Sequence, residues 1–539
     1  MPRFSIVTPV YDPPADVLRA MLRSVANQSF HDWELCLVDD CSTQPHVRQI
    51  LEKAAAGDKR VRVAYRADNG GIVAASSDAL TMASGEFVAL LDHDDELHTD
   101  ALRLVDEAIT GEPEADYVYT DEDKIDEAGR RAYAFLKPDW SPERLRTQMY
   151  TCHLSVLRRS LVDDVGGFRA EFNGSQDWDL VLRVTERARR VVHVPTVLYH
   201  WRMLSTSAAG SGLEAKPWAY DAGARAIQAH CDRTGVEAVV EHDIEFSGIY
   251  HLLPRLRHQP PVSIVIPTGG QVRDVHGELV VLVTRCVESI VKTSTYGNFE
   301  IVCVVDERTD TGVLRGVRDI ANGRLQVVTC PGPFNFSERI NTGVLASGGE
   351  HVLLLNDDIE VVTPDWLERM VMYSQLPEVG AVGAKLLFGD DCLQHAGVIL
   401  NEVGPGHIYR KFHRDHGGYF NMLKVANNFQ AVTGACLMSR RAVFDEVGGL
   451  SMLFPLNFND IDYCLKLREQ HLRAVVDPDT ILYHYESSSR PADVSEWEIR
   501  LLQERHSSAV PDPYYNPGFL ETSLNYVAPV TLADGSVLR

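Results

Sequence analysis

One pattern constrains this chain more than any other, and it occurs twice. Gly85-Glu86-Phe87-Val88-Ala89-Leu90-Leu91-Asp92-His93-Asp94-Asp95-Glu96 is a short apolar run that ends abruptly in acids. Gly349-Glu350-His351-Val352-Leu353-Leu354-Leu355-Asn356-Asp357-Asp358-Ile359-Glu360 repeats it. Each apolar run has the length of a buried strand. The acids then fall at the strand's C-terminal edge, where open α/β sheets place their ligands. Carboxylates this close repel one another unless a cation or a proton relieves them. A hard divalent metal with oxygen ligands does so, and Mg²⁺ commonly brings a substrate diphosphate. Acidic clusters after strands also serve as solvated turns or helix caps, and His98-Thr99-Asp100 is a candidate helix start. The second copy favours the metal.

The rest of the chain repeats in the same order. Phe4–Val10 is a predicted strand ending at Pro9, and Val262-Ser263-Ile264-Val265-Ile266-Pro267-Thr268 restarts the programme. Trp33–Asp40 is a second strand ending in acids, echoed by Ile301–Asp306. Gly166-Gly167-Phe168 returns as Gly448-Gly449-Leu450, and Gln176-Asp177-Trp178-Asp179 as Asn459-Asp460-Ile461-Asp462. Leu198-Tyr199-His200-Trp201 returns as Leu482-Tyr483-His484-Tyr485. Helices are expected at Val17–Val25, Ala74–Ala83 and Asp100–Thr110. Tyr117–Asp123 is expected to be a strand ending in acids, and Phe135–Pro142 a loop. Strands alternating with helices imply an α/β fold with a mostly parallel sheet. The period is too long for a solenoid, so the expectation is a duplicated domain. The expected bounds are 1–245 with a trailing linker helix, 246–490, and a Pro- and Tyr-rich segment, 491–539, wrapping the second domain.

A chain of 539 residues accommodates two domains. Its net charge of −24 argues against nucleic acid as the main partner. Ten scattered cysteines without a CxxC pair give no support to a zinc ribbon or a thioredoxin-like site. No secretory signal and no bilayer-spanning apolar stretch is seen, so the expected compartment is the cytoplasm.

Several residues are candidates for chemistry. Asp92, Asp94 and Asp95 offer hard oxygen ligands to a metal that would neutralise a diphosphate leaving group. His200 ends a strand-like run and is either a metal ligand or a packed histidine, and His484 repeats it. Asp39 and Asp40 are placed either to accept hydrogen bonds from a nucleobase or ribose, or to cap a turn. Asp177 is a candidate general base or an N-cap, with Asp460 its counterpart. Asn69-Gly70-Gly71 is either a phosphate approach or a plain turn. No P-loop and no GxSxG elbow occurs.

Together these residues resemble family-2 glycosyltransferases of the GT-A fold. In the first half the marks are Thr8-Pro9-Val10-Tyr11, Val38-Asp39-Asp40-Cys41-Ser42, Asp92-His93-Asp94-Asp95, Gln176-Asp177-Trp178-Asp179 and Tyr199-His200-Trp201-Arg202. Tyr119-Thr120-Asp121-Glu122-Asp123-Lys124 and Lys137-Pro138-Asp139-Trp140 are similar to tandem-domain members that build bacterial surface polysaccharides. In the second half the marks are Ile266-Pro267-Thr268, Phe334-Asn335-Phe336-Ser337, Leu355-Asn356-Asp357-Asp358, Asn459-Asp460-Ile461-Asp462 and His484-Tyr485-Glu486-Ser487.

The resemblance implies two tandem GT-A domains, Rossmann-like with mostly parallel sheets, a helical linker and a C-terminal extension. It implies that Thr8, Pro9, Asp39 and Asp40 hold the nucleoside of a UDP- or dTDP-sugar. Asp92, Asp94, Asp95 and His200 would hold Mn²⁺ or Mg²⁺ on the diphosphate, with Asp94 also touching the donor. Asp177 would be the base of an inverting, single-displacement transfer. The second site would use Asp306 for the nucleoside, Asp358 and His484 for metal and donor, and Asp460 as base. The acceptor would be a lipid-linked or polymeric glycan, with peripheral association at the inner face of the plasma membrane. The chain departs from the family pattern in four places. Ala75-Ser76-Ser77 stands where Ala-Arg-Asn is usual, Ile340 precedes Asn341, Asn356 replaces an acid, and Glu307 stands in place of a second Asp. Two catalytic sites are the preferred expectation. The alternatives are one active half with a glycan-binding passenger, a non-enzymatic carbohydrate-binding scaffold, and a nucleotidyltransferase.

Overall fold

The computed structural model describes residues 1–126, 128–203, 217–401, 404–485, 496–506, 511–528, 530–531 and 537–538. The chain forms two compact units. The first comprises Met1–Gly235, Val240–His251 and Asn516–Gly518; the second comprises Val236–Val239, Leu252–Tyr515 and Phe519–Arg539. The tail expected to wrap the second domain is thus divided, with Asn516–Gly518 assigned to the first. Glu486 and Ser487 lie outside the described residues, as do parts of the tail.

In the first unit the strands are β1 (Phe4–Val10), β2 (Trp33–Asp39), β3 (Val61–Tyr65), β4 (Phe87–Leu90), β5 (Glu96–Leu97), β6 (Ala115–Ile125), β7 (Arg131–Phe135), β8 (Ser155–Arg158) and β9 (Arg190–Arg202). They run in the order β3-β2-β1-β4-β8-β6-β9-β5, with β7 on β6. The β3-β2-β1-β4 half is parallel, and β8 enters antiparallel to β4 and β6. Alternate residues of a strand face opposite sides, and the core divides accordingly. Phe4, Ile6, Leu35 and Leu37 pack with Leu18, Met21 and Val25 of the helix Ala15–Ala26. Val7, Val38 and Val88 pack on the other face against Ala75 and Ala79, four residues apart on the helix Gly71–Met82.

The second unit repeats this order: Leu325–Thr329, Phe299–Val305, Val262–Thr268, His351–Leu355, Cys436–Arg440, Val379–Leu387, Arg473–His484 and Ile359–Val361. Even the irregularities repeat. The pairing of β6 with β9 slips between Thr120 and Asp121, and its counterpart slips between Ala384 and Lys385. Asp121 and Lys385 therefore occupy the same place in the two sheets, both buried, with opposite charge. Burial pushes the Lys385 ammonium down to about 8, and its Nζ donates to the Arg414 carbonyl at 3.0 Å.

Tyr117–Asp123 departs from expectation. Asp121, Glu122 and Asp123 do not end the strand but continue inside it, all buried. Their desolvation is met by partners from remote segments: His193 Nε2 on Asp121 at 2.9 Å, Lys137 Nζ on Glu122 at 3.0 Å and His200 Nδ1 on Asp123 at 2.6 Å. The segment expected to be a loop at Phe135–Pro142 supplies that lysine between the end of β7 and the helix Pro142–Leu145.

The glycines that open the duplicated stretch have a steric cause. A Cβ on Gly85 would meet the Ser5 backbone nitrogen at 2.7 Å, and one on Gly349 would meet that of Ser263 at 2.6 Å. Each glycine N–H donates to the serine Oγ, at 2.7 and 2.8 Å, and each serine donates in turn to a carboxylate, Glu34 or Glu300. This brings β4, and its counterpart, tightly beside the first strand. Gly85→Ala and Gly349→Ala should each cost about 1–3 kcal/mol through overpacking. Gly316→Ala, in a helix with no atom within 4 Å of the added Cβ, should instead stabilise by about 1 kcal/mol. Urea unfolding midpoints test the contrast; a Gly85→Ala protein as stable as its parent would remove close approach as the reason.

Candidate active site

The candidate residues of the first unit gather where β1, β2 and β4 end. Thr8 is fully buried, and its Oγ1 has no hydrogen-bond partner among the described residues. The Pro9 carbonyl accepts from His93 Nδ1 at 3.0 Å. Asp39 is buried at the end of β2 and accepts from the Ser42 N–H at 3.3 Å.

Asp40 is engaged within the chain. Its carboxylate accepts from the Gly70 and Gly71 N–H groups at 2.9 and 2.8 Å and pairs with Arg66 Nε at 2.9 Å. The two glycines are required there: Gly71 has φ +79°, and a Cβ on Gly70 would meet Arg66 Nη2 at 2.6 Å. The glycine pair thus holds a carboxylate of the protein itself. Arg66 also pairs with Asp78. It brings a guanidinium from the loop before the helix that carries Ala75-Ser76-Ser77, a residue the sequence reading missed.

Asp92, Asp94 and Asp95 converge after β4, each offering a carboxylate oxygen within 4.8 Å of the others. Asp95 is fully buried; it accepts from the Tyr199 hydroxyl at 2.5 Å and from the Arg202 N–H at 2.7 Å. Arg202 Nε donates to the Asp94 carbonyl at 3.0 Å, so the end of β9 stitches the acidic loop in place. Burial pushes the Asp95 carboxyl well above the usual range, and Asp94 and Asp92 add to the shift. Burial also raises Asp92; His153 and His93 oppose that shift, while Asp94 and Asp177 add to it.

Asp177 therefore lies in electrostatic range of the acidic cluster. It stands in the first turn of the helix Gln176–Thr185, while Ser175 takes the N-cap position. Its neighbours anchor that turn. Trp178 is buried, donates Nε1–H to the Leu145 carbonyl at 3.0 Å and packs edge-on against Tyr250. Asp179 is fully buried between Arg183, at 2.6 Å, and Arg169. Asp177 is half-exposed and has no hydrogen-bond partner among the described residues.

His200 does not join the three acids. Its Nδ1 is bound to Asp123, and its buried Nε2 has no partner among the described residues.

In the second unit, Asn356 Nδ2 and Asp358 Oδ1 each lie 3.2 Å from His484 Nε2. His484 thus meets its acidic edge where His200 does not. Burial raises Asp358, but His484 outweighs it and holds the carboxyl below the usual range. Burial pushes Asp357 up to about 6, against the Thr268 hydroxyl that donates to it at 2.6 Å. Asp306 is held down at about 2 by Arg308, with Arg339 Nη2 at 3.6 Å. Arg339 is buried, one residue before the usual arginine position, and was also missed in the sequence. Asp460 is engaged at both oxygens, by the Gly434 N–H at 2.8 Å and the Ile461 N–H at 2.9 Å. No set of three metal-ligating side chains gathers in this unit among the described residues.

Comparison with known proteins decides the family. A family model described as glycosyl transferase family 2 matches residues 5–166, and one described as glycosyltransferase like family 2 matches residues 260–503. The chain belongs to glycosyltransferase family 2. It carries two such domains in tandem, with the α/β architecture expected of them. It is 43% identical over 534 residues to the uncharacterized protein y4gI of Sinorhizobium fredii, covering 96% of this chain and 57% of that one. It is 36% identical over 524 residues to the O-antigen biosynthesis protein RfbC of Myxococcus xanthus, covering 96% of this chain and 40% of that one. The chain thus spans about half the length of these relatives. A putative teichuronic acid biosynthesis glycosyltransferase of Bacillus subtilis, TuaG, is 40% identical over 101 residues, 19% of this chain and 39% of that one. Among the described residues no helix is long and apolar enough to cross a membrane.

One buried pair supports the first site from behind. Lys137 is fully buried, and its Nζ donates to Glu122 and to the carbonyls of Thr120 and Thr151 at 2.8 Å and of His153 at 2.6 Å. Lys137→Met would leave Glu122 as an uncompensated buried charge, which costs about 3–5 kcal/mol. Adding Glu122→Leu should recover part of the loss. Thermal unfolding of the two proteins measures this; a Lys137→Met protein melting with its parent would show the pair to be dispensable.

Proposed function

We propose that the first domain transfers a sugar, with inversion, from a UDP- or dTDP-sugar to a growing cell-surface glycan. The observation that carries this reading is Asp177, a half-exposed carboxylate without a protein partner, within electrostatic range of Asp92 beside two further acids. Asp177 takes the proton of an acceptor hydroxyl as that oxygen attacks the anomeric carbon. The bond from that carbon to the diphosphate breaks on the opposite face, and the nucleoside diphosphate leaves. Asp39 and the unpartnered Thr8 hydroxyl suit the nucleoside.

Asp92 and Asp94, with Asp95 behind them, suit a divalent cation, since all three offer hard oxygens and two have carboxyls raised by burial and mutual repulsion. Such a cation supplies charge neutralisation for the leaving diphosphate. A glycan acceptor is supported by the O-antigen and teichuronic acid biosynthesis descriptions of RfbC and TuaG. A lipid-linked or polymeric form of it, held at the inner membrane face, belongs to the same proposal.

The second domain is an unequal partner. Asn356 has replaced an acid, and both oxygens of Asp460 are occupied by backbone N–H groups, which favours binding of glycan or donor over turnover.

Nucleoside diphosphate release from a panel of UDP- and dTDP-sugars, with and without EDTA, tests the proposal. The unmodified protein should turn over at least one donor in a metal-dependent way. Asp177→Ala should lower that turnover by roughly 10²–10⁴-fold, and Asp460→Ala should leave it largely intact. Full activity in Asp177→Ala refutes the base. Pyrophosphate release from a nucleoside triphosphate and a sugar phosphate would mean nucleotidyl transfer instead.

A further inference from the structure

His153 is the residue of the first site with the most elaborate support and no role in the reading above. Its backbone is held from both sides by the buried pair: the N–H donates to Glu122 Oε2 at 3.0 Å, and the carbonyl accepts from Lys137 Nζ at 2.6 Å. A buried ion pair is a poor means of gaining stability, because desolvation consumes most of the attraction. Here it fixes the backbone of His153 from both sides, with the Thr120 and Thr151 carbonyls held by the same ammonium.

The ring is fixed as well. It stacks on Tyr199 with centroids 4.5 Å apart at 17°, and it meets Trp201 edge-on at 5.7 Å. Tyr199 is the phenol that donates to Asp95 and accepts from the Asp92 N–H at 3.3 Å. The imidazole and the acidic loop are therefore positioned by the same side chain. Neither ring nitrogen has a hydrogen-bond partner among the described residues, and the residue is half-exposed.

The duplication supplies an internal comparison. Phe87 pairs with Arg158 as His351 pairs with Arg440. Counted back along the sequence from those pairs without a gap, His153 corresponds to Ala435, as Asp92 corresponds to Asn356. The Asn356 N–H does donate to the Ala435 carbonyl, at 3.0 Å. The domain that lost the carboxylate thus also lacks the imidazole.

We infer that His153 is a catalytic residue of the first site, whose ring N–H donates a hydrogen bond to the departing diphosphate beside the acidic cluster. This rests on the transferase reading. A fixed donor aimed at an oxygen that gains charge as the bond breaks lowers the barrier more than it tightens ground-state binding. A neutral imidazole suffices, since one N–H is always present. The second domain, with a methyl group in place of the ring, lacks this donor.

The experiment uses the donor whose turnover Asp177→Ala abolishes. On it, His153→Ala should lower kcat by about a hundredfold while KM changes little, with an unfolding midpoint close to the parent's. His153→Gln, which retains an N–H donor, should recover part of kcat and guards against a misfolded alanine variant. Nucleoside diphosphate affinity, measured by calorimetry with UDP or dTDP in the presence of Mn²⁺, should weaken in His153→Ala independently of turnover. If no donor loses turnover in Asp177→Ala, the transferase reading falls and the role of His153 with it. If Asp177→Ala is inactive while His153→Ala retains the parent's kcat and nucleotide affinity, the role of His153 alone is overturned. Loss of kcat only in step with the unfolding midpoint, unrelieved by glutamine, also overturns it in favour of a packing role.

Discussion

The hydroxyl of Tyr199 links the two ends of the first sheet that matter for chemistry. It donates to Asp95 and accepts from the Asp92 N–H, so strand β9 holds the loop that follows β4. Without that bond, three neighbouring acids at a half-buried edge would spread toward water to relieve their repulsion. With it, they stay convergent while still carrying a strain that a cation can remove. The rest of the site follows. The phenol's face carries His153, its strand continues to Arg202, and the same strand brings His200 onto Asp123. A single hydrogen bond of this kind contributes modestly to stability. Its larger effect is to choose one arrangement of charges among several that the sheet edge would permit.

The two domains show what a duplicated edge does when one carboxylate is removed. Asn356 carries no charge to repel its neighbours. His484 Nε2 lies against both Asp358 and Asn356, and the Thr268 hydroxyl donates to Asp357. Three carboxylates converge in the first unit; in the second, one acid lies against an imidazole and one against a hydroxyl. Asp177 and Asp460 differ in the same sense, one open and one bound at both oxygens. The sheets are alike; the divergence lies in which polar groups are left for a ligand.

Much of this was legible in the sequence because it rests on local pattern. The apolar run before Asp92, the ordered echoes in the second half, and the turn that presents Asp177 are all written in consecutive residues. What escaped depends on contacts between distant segments. Asp40 reads as a ligand-binding acid or a turn cap, and only the fold shows Gly70 and Gly71 donating to it. Three successive acids after Thr120 look like a strand end because nothing nearby announces Lys137, His193 and His200. Arg66 and Arg339 lie outside the expected family position, and only the fold shows them reaching Asp40 and Asp306. His153 carries no motif at all; its importance lies in the two charges that hold its backbone.

The charge reversal at the bulge shared by the two sheets has an evolutionary consequence. Asp121 and Lys385 occupy equivalent buried positions, and their partners differ: His193, the Lys137 N–H and Asn516 Nδ2 for the aspartate, the Arg414 carbonyl for the lysine. Exchange of this strand between the copies by recombination would bury a lysine close to Lys137 in one domain and a solitary carboxylate in the other. Tandem copies that share long stretches of sequence tend to homogenise one another. A buried charge reversal of this kind opposes such an exchange.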